Sequence, residues 1–282
     1  MKAGFWVAPE GEDTAMTVMP IGTEVPVAAR KLSFLATATA EEMIHRCRDT
    51  AALLPKIADA LERQKKGAPG QLYDITDYSE DDRMLITETL GEGEVSGVAV
   101  LANGITAQIQ EALMAGVWRI RFTDAADRLV ADYVEVASIP AVVAEACAAL
   151  PSTLAYGQPP AGAMNVMPVL HEISGKMASH KLGDEAHTIT FSLLPMSPQD
   201  MDFLQETLGA GPVQLTSRGY GTCRVLATGA RNVWSVQFYN AMDTIILDTL
   251  EICTIPAVAI AAEEDFQDSA VRIREIEEAY FK

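Results

Sequence analysis

The sequence predicts an α+β fold of two tandem related modules, each a mainly antiparallel sheet with flanking helices. Three observations lead there. Residues 117–142 and 233–258 match at a fixed offset of 116, with 11 identities in 26 positions, where composition alone would give roughly 2. Upstream, Glu88-Thr89-Leu90-Gly91-x-Gly93-x-Val95 returns as Glu206-Thr207-Leu208-Gly209-x-Gly211-x-Val213 at an offset of 118. Within each copy, strand-like runs are grouped together and helical runs sit at their ends, which is the order of an α+β layer rather than a doubly wound sheet. Two copies of this length are too few and too long for a solenoid.

The elements read in parallel. Segments 71–78 and 188–194 are expected as opening strands. Ser79-Glu80-Asp81-Asp82 and Ser197-Pro198-Gln199-Asp200 open helices. The serine hydroxyl accepts from a free N–H, the acids complement the dipole, and Pro198 fits the first turn. The helices run through Met84-Leu85-Ile86 and Met201-Asp202-Phe203-Leu204, and Gly91 and Gly209 stop them by taking the left-handed conformation. Trp118-Arg119-Ile120-Arg121-Phe122 and Trp234-Ser235-Val236-Gln237-Phe238 alternate with period two, which buries one face of a strand. Strands 129–137 and 245–253 follow, and Ile139-Pro140 and Ile255-Pro256 start short helices.

Four segments result. Residues 1–70 form an N-terminal extension, Pro/Gly/Thr-rich over 1–38. A capping box at Thr39-Ala40-Glu41-Glu42 then opens a helical region that runs through Leu61 and is kinked or split at Pro55. Residues 71–150 are the first repeat. Residues 151–187, with Pro151, Gly157, Pro159-Pro160 and Gly162, are a linker holding a short helix at 167–181. Residues 188–282 are the second repeat with a closing helix at 266–280, on which Val271, Ile273 and Ile276 share a face.

Hydrophobic residues make up 49% of the 282 and charged ones 21%, enough apolar material for a sizeable core. No apolar run is long enough for a membrane span, and Met1-Lys2-Ala3-Gly4-Phe5-Trp6 lacks the apolar stretch of a secretion signal. A cytoplasmic protein is expected. With 39 acidic against 21 basic residues the net charge is −18. Such a field repels phosphate backbones and anionic lipid, so neither nucleic acid nor membrane is expected as a partner. Cys47, Cys147, Cys223 and Cys253 are scattered singly, as reduced thiols are.

No motif for chemistry stands out. Gly91-Glu92-Gly93 follows a helix and carries acids that repel pyrophosphate, and Gly175-Lys176-Met177 lacks the rest of a phosphate loop. His45, His171, His180 and His187 do not fall at zinc spacing with the cysteines. There is neither a G-x-S-x-G nor an H-E-x-x-H. Asp132 and Asp248 recur on corresponding strands, and a repeated carboxylate among apolar neighbours implies a structural hydrogen-bond partner. The chain is therefore expected not to be an enzyme, and no cofactor is expected.

Features held by both copies belong to the fold, and features of one copy are candidates for function. Only the second copy has Ser217-Arg218-Gly219-Tyr220-Gly221-Thr222-Cys223-Arg224, followed by Arg231-Asn232. Arginine and tyrosine are frequent at binding hot spots. Arg218, Gly219, Tyr220, Gly221, Cys223, Arg224, Arg231 and Asn232 are accordingly the candidate partner-binding residues. A tight turn with arginines paired to local carboxylates explains the same pattern equally well.

The second-copy run from Leu194-Pro195-Met196-Ser197-Pro198 through Ala227-Thr228-Gly229-x-Arg231-Asn232-Val233-Trp234 to Asn240-x-Met242-Asp243-Thr244-x-Ile246-Leu247-Asp248 resembles the C-terminal region of the HupH/HyaF hydrogenase-expression proteins. First-copy Leu90-Gly91-Glu92-Gly93-Glu94-Val95-Ser96, Gln110-Glu111-Ala112 and Ala115-Gly116-Val117-Trp118 resemble an earlier region of that family. The likeness covers roughly 70–282 of the chain. It implies an accessory protein for uptake [NiFe]-hydrogenase that binds the iron–sulfur small-subunit precursor in the cytoplasm before assembly and export, with other maturation proteins as further partners. The resemblance brings no catalytic residue set with it. The alternative is an iron–sulfur or metal delivery factor of the same pathway, with Cys223 as ligand.

Overall fold

A computed structural model describes residues 45–219 and 221–281. The capping box at 39–42 and the segment 1–38 lie outside the described residues. The first module comprises α1 (Arg48–Arg63), β1 (Gln71–Asp74), α2 (Glu80–Leu90), β2 (Val95–Val100), β3 (Thr106–Glu111), β4 (Val117–Thr123) and β5 (Leu129–Val136), followed by α3 (Ala141–Cys147). The second comprises α4 (Val166–Ser179), β6 (His187–Thr190), α5 (Pro198–Leu208), β7 (Ala210–Ser217), β8 (Thr222–Thr228), β9 (Val233–Tyr239) and β10 (Ile245–Ile252), followed by α6 (Glu263–Phe281).

The first module's strands lie in the order β1-β5-β4-β3-β2 and the second's in the order β6-β10-β9-β8-β7. The two orders are one topology, and the registers agree residue by residue at the 116 offset. Tyr73 faces Val134 as Ile189 faces Leu250. Trp118 faces Glu135 as Trp234 faces Glu251. Gln108 faces Arg121 as Arg224 faces Gln237. β5 and β10 even carry irregularities at matching places, with Val130 and Ile246 left out of the ladder. A bulge kept in both copies is a feature of the fold rather than a defect.

The offset of 118 for α2 and α5 now has a place. The second copy gains two residues between β6 and Ser197, where a 3-10 turn at Phe191–Leu193 stands in for the expected strand. It loses them again before β8. β2, β3, β7 and β8 are strands beyond those expected from sequence. β2, Val-Ser-Gly-Val-Ala-Val, is buried at five successive positions, so it shows no alternation from which a strand could be read. α1 continues through Pro55 without interruption.

Each repeat is capped by the same aspartate device. Ser79 Oγ accepts from Asp82 N–H at 3.0 Å, and Ser197 Oγ accepts from Asp200 N–H at 3.1 Å. The aspartates then reach beyond their own helix. Asp82 Oδ1 accepts from the backbone N–H and the hydroxyl of Thr50, at 2.9 Å each, in the first turn of α1. Asp200 Oδ1 accepts from the N–H groups of Asn165 and Val166 at 2.8 and 2.9 Å, at the start of α4. One buried carboxylate thus satisfies the free N–H groups of two helices. Burial alone would raise the Asp200 carboxyl, but the bonds from Ser197, Asn165 and Val166 outweigh it and hold the group below its ordinary range. The shared device also identifies α4, expected as part of a linker, as the counterpart of α1. Replacing either aspartate by alanine is expected to lower stability by about 2–3 kcal/mol in urea unfolding, because several buried donors lose their acceptor together.

Gly91 and Gly209 end their helices with φ of 62° and 61°. Two residues on, a Cβ on Gly93 would lie 2.1 Å from Ala112 O and one on Gly211 2.3 Å from Thr228 O. These are contacts with neighbouring strand backbone that no rotamer relieves.

By packing, the described chain divides into two units. One contains 45–98, 103–141 and 260–281, and the other 99–102 and 142–259. The closing segments thus depart from the expected boundaries. α6, assigned from sequence to the second repeat, packs in the first unit. There Phe266, Ala270, Ile273 and Phe281 join a core with Leu53, Leu54, Ile57 and Leu61 of α1, Leu85 and Ile86 of α2, and Val134 and Val136 of β5. Val271, expected on the buried face of α6, is exposed. The core of the second unit gathers Val166, Val169, Leu170 and Ile173 of α4, Leu204 and Leu208 of α5, and Val233, Leu250 and Ile252 of the sheet.

Candidate partner-binding site

The strand register divides the seven described candidate residues into two groups at opposite ends of the second module's sheet. The connection between β7 and β8 and the turn 240–244 between β9 and β10 share one end, because Thr222 and Ile245 both face Tyr239. Arg218, Gly219, Gly221, Cys223 and Arg224 belong to this end. Arg231 and Asn232 lie in the turn between β8 and β9, at the other end. One continuous surface of all seven is therefore not formed.

At the first end, Arg218 and Arg224 are exposed. The Arg224 guanidinium lies 4.9 Å from the centroid of the Tyr239 ring, a cation–π stack. The Tyr239 hydroxyl donates to Gln237 Oε1 at 2.8 Å. Gly221 turns the chain with φ of 116°, so the tight-turn reading holds for the glycine while the arginines beside it stay exposed. Tyr220 lies outside the described residues.

Cys223 does not face a partner. It points to the interior opposite Phe238 and is 4% exposed. Burial, reinforced by the nearby Glu251 carboxylate, pushes its thiol up to about 12. All four cysteines are free and buried, and among the described residues no group of three or more His, Cys, Asp and Glu is arranged to hold a metal ion.

Arg231 and Asn232 are engaged in the fold. The Arg231 guanidinium donates to Ala148 O at 2.5 Å and to Leu150 O at 3.1 Å, and its backbone N–H donates to Pro151 O at 2.9 Å. These bonds fasten the segment that follows α3, through carbonyl oxygens rather than the carboxylates expected from sequence. Asn232 holds φ of 62° where the first copy has Gly116 at 83°, so it is the turn residue of that hairpin, and its carbonyl accepts from Cys253 N–H at 2.9 Å. Arg231→Ala is accordingly expected to lower stability by about 1–2 kcal/mol, whereas Arg218→Ala leaves the melting temperature nearly unchanged. Thermal unfolding of the two variants measures the difference.

Glu111 of the first module carries no counterpart signal, because Ala227 stands at its place in the second copy. It is 7% exposed. Burial pushes its carboxyl from 4.5 up to about 7, against partial relief from the backbone of Gly116 and Val95 and with added repulsion from Glu94 and Asp265. The folded value lies above the unfolded one. The stabilising contribution is therefore complete below the unfolded value and is lost as pH rises through the folded value. Urea midpoints are expected to fall between about pH 5 and pH 8, and Glu111→Gln removes that component of the slope.

A cleft beside Arg119, lined by Thr87, Leu90, Gly91, Gln110 and Ala112, has room for about one water molecule and none for a metabolite. Among the described residues, no helix is long and apolar enough to cross a membrane.

Fold and site together define a duplicated α+β protein whose two copies have one topology, one cap device and one strand register. The family described as "HupH hydrogenase expression protein, C-terminal conserved region" matches this chain twice, over residues 48–154 and 163–280. Both matches take in the opening helix that the shared aspartate cap assigns to each module. The hydrogenase expression/formation protein HupH of Rhizobium leguminosarum bv. viciae is 74% identical over 282 residues, covering 100% of both chains. HoxQ of Cupriavidus necator is 41% identical over 80% of this chain and 79% of its own. The Hydrogenase-1 operon protein HyaF of Escherichia coli is 34% identical over 80% of this chain and 79% of its own. A solved structure, the hydrogenase expression protein HupH from Thiobacillus denitrificans, aligns with 41% of this chain and 94% of its own at 27% identity and a TM-score of 0.36. The chain belongs to the HupH hydrogenase expression protein family.

Proposed function

We propose that this protein is a non-enzymatic accessory chaperone for maturation of an uptake [NiFe]-hydrogenase, which binds the iron–sulfur small-subunit precursor in the cytoplasm before assembly and export. Membership of the hydrogenase expression family supports the pathway. The observation that carries the binding role is the exposed end of the second module's sheet, where Arg218 and Arg224 replace Ala102 and Gln108 of the first copy. The shared fold does not require that change. A chaperone needs a surface that covers a client reversibly and no catalytic constellation.

In this reading Arg218, Gly219, Tyr220, Gly221 and Arg224 grip the client, while Cys223, Arg231 and Asn232 support the scaffold. The alternative, metal or cluster delivery through Cys223, would require a thiol that is buried and held protonated to open and ionise, and its burial supports the chaperone reading instead. The test is co-purification of the tagged protein from a hydrogenase-expressing strain in mild salt. Recovery of the small-subunit precursor is expected. Its absence, with the protein itself intact and abundant, overturns the proposal.

A further inference from the structure

The two copies serve as an internal control for what the fold demands of its surface. The turns after β4 and β9 have one construction. Asp124 and Asn240 each accept two backbone N–H groups across the turn, and Asp127 and Asp243 take left-handed φ of 55° and 53°. On this common frame the side chains diverge. The first copy places Ala126, Arg128 and Ala131 where the second has Met242, Thr244 and Leu247. It closes its turn with an Arg128–Asp124 ion pair at 2.7 Å. The second copy leaves Met242 84% exposed where the first has Ala126, while Ile246, 65% exposed, matches a Val130 that is itself 47% exposed. Tyr239 stands where the first copy has Thr123.

Large apolar side chains in solvent bring a folded monomer no stability, and when they cluster they mark a contact surface. Here they surround a turn that shares its end of the sheet with the exposed Arg218 and Arg224. The one acid of this turn, Asp243, has its counterpart in Asp127 and is part of the frame. In a chain of net charge −18, two exposed guanidiniums, one of them stacked on Tyr239, at the same sheet end as an exposed methionine and isoleucine select a complementary ligand. That ligand has an apolar side chain to fill the patch and a carboxylate to meet the arginines. An anionic membrane offers the same two chemistries, but the acidic bulk of the chain repels it.

We infer that Arg218, Arg224, Tyr239, Met242 and Ile246 form a docking surface for an extended polypeptide segment that places an apolar side chain next to a carboxylate. This rests on the proposed chaperone role and names the kind of client segment recognised. The surface reads a short acidic, apolar stretch rather than a folded epitope, and it belongs to the second module alone.

The test uses the full-length protein with synthetic peptides tiling the hydrogenase small-subunit precursor, alongside the whole precursor. Wild-type protein is expected to bind peptides in which Leu, Ile, Met or Phe lies close to Asp or Glu. The double variant M242S/I246S is expected to lose at least about tenfold in affinity, the size that removal of a buried apolar anchor produces, with an unchanged melting temperature. Val130→Ser at the matching place of the first copy is expected to change nothing. Equal binding by M242S/I246S, or selection of basic peptides, overturns the inference. Preferential binding to phosphatidylserine-containing vesicles over every peptide does so as well. Whole precursor bound by the double variant as tightly as by wild type, with no peptide captured, overturns the docking surface and leaves the chaperone role standing. Loss of binding to precursor and peptides by wild-type protein overturns both.

Discussion

Trp118→Ala and Trp234→Ala are each expected to lower stability by about 3–5 kcal/mol, the range for deleting a large buried aromatic. Trp118 is 0% and Trp234 1% exposed. Each indole N–H also donates to a carbonyl just beyond the strand paired with its own, Ala137 O at 2.9 Å and Thr254 O at 3.2 Å. Truncation leaves a cavity and orphans a buried acceptor together, and tryptophan to phenylalanine removes the bond while filling most of the space. Because the two residues hold one position in two copies, the losses should be similar. Calorimetric unfolding checks both size and symmetry. A loss confined to one tryptophan would contradict the equivalence of the modules.

The second large effect is expected at Arg119. Its guanidinium holds Asp132 through two bonds, at 3.1 and 2.8 Å, and also donates to Thr87 Oγ1 of α2. The Asp132 side chain is 1% exposed. Arg119→Met therefore leaves a carboxylate in the interior without its counter-charge, a change that typically costs about 3–5 kcal/mol. Replacing both partners by apolar residues is expected to recover most of that loss, because a buried pair contributes little net stability against a well-packed apolar substitute. Urea unfolding of Arg119→Met, Asp132→Leu and the double variant completes the cycle. Additive losses would show that the pair is not coupled. In the second copy Ser235 takes the place of Arg119, and Asp248 accepts from Gln237 at 3.4 Å. The carboxylate is repeated, but its partner is not.

These two sites illustrate what the chain discloses before folding. The tryptophans stand in alternating runs, so their strands and burial follow from period two alone. Serine, aspartate and glycine mark the ends of α2 and α5 because their capping chemistry is local. β2 was illegible for the opposite reason: a strand buried at five successive positions loses the alternation that betrays a half-buried strand. The position of α6 was equally hidden, since an amphipathic face tells that it is buried and not against what. The second role of Asp82 and Asp200 could have been suspected, because the repeated N3 aspartate is a residue whose carboxylate has capacity beyond one cap. Among the site residues, comparison of copies singled out Arg218 and Arg224, which the fold leaves exposed. It could not separate them from Arg231, whose partners are backbone carbonyls at 148 and 150 that leave no trace in side-chain identity. Met242 and Ile246 stood out only as part of the family resemblance, because an apolar residue beside a strand reads as core until its exposure is seen.

The account turns on the division of labour between a shared frame and one divergent sheet end, and affinity for the small-subunit precursor measures it most directly. Titration calorimetry of the purified precursor with wild-type protein and R218A/R224A is expected to show at least about a tenfold weaker complex for the variant, with melting temperatures that coincide. Equal affinities would contradict the account, and so would a weaker complex accompanied by a matching fall in melting temperature.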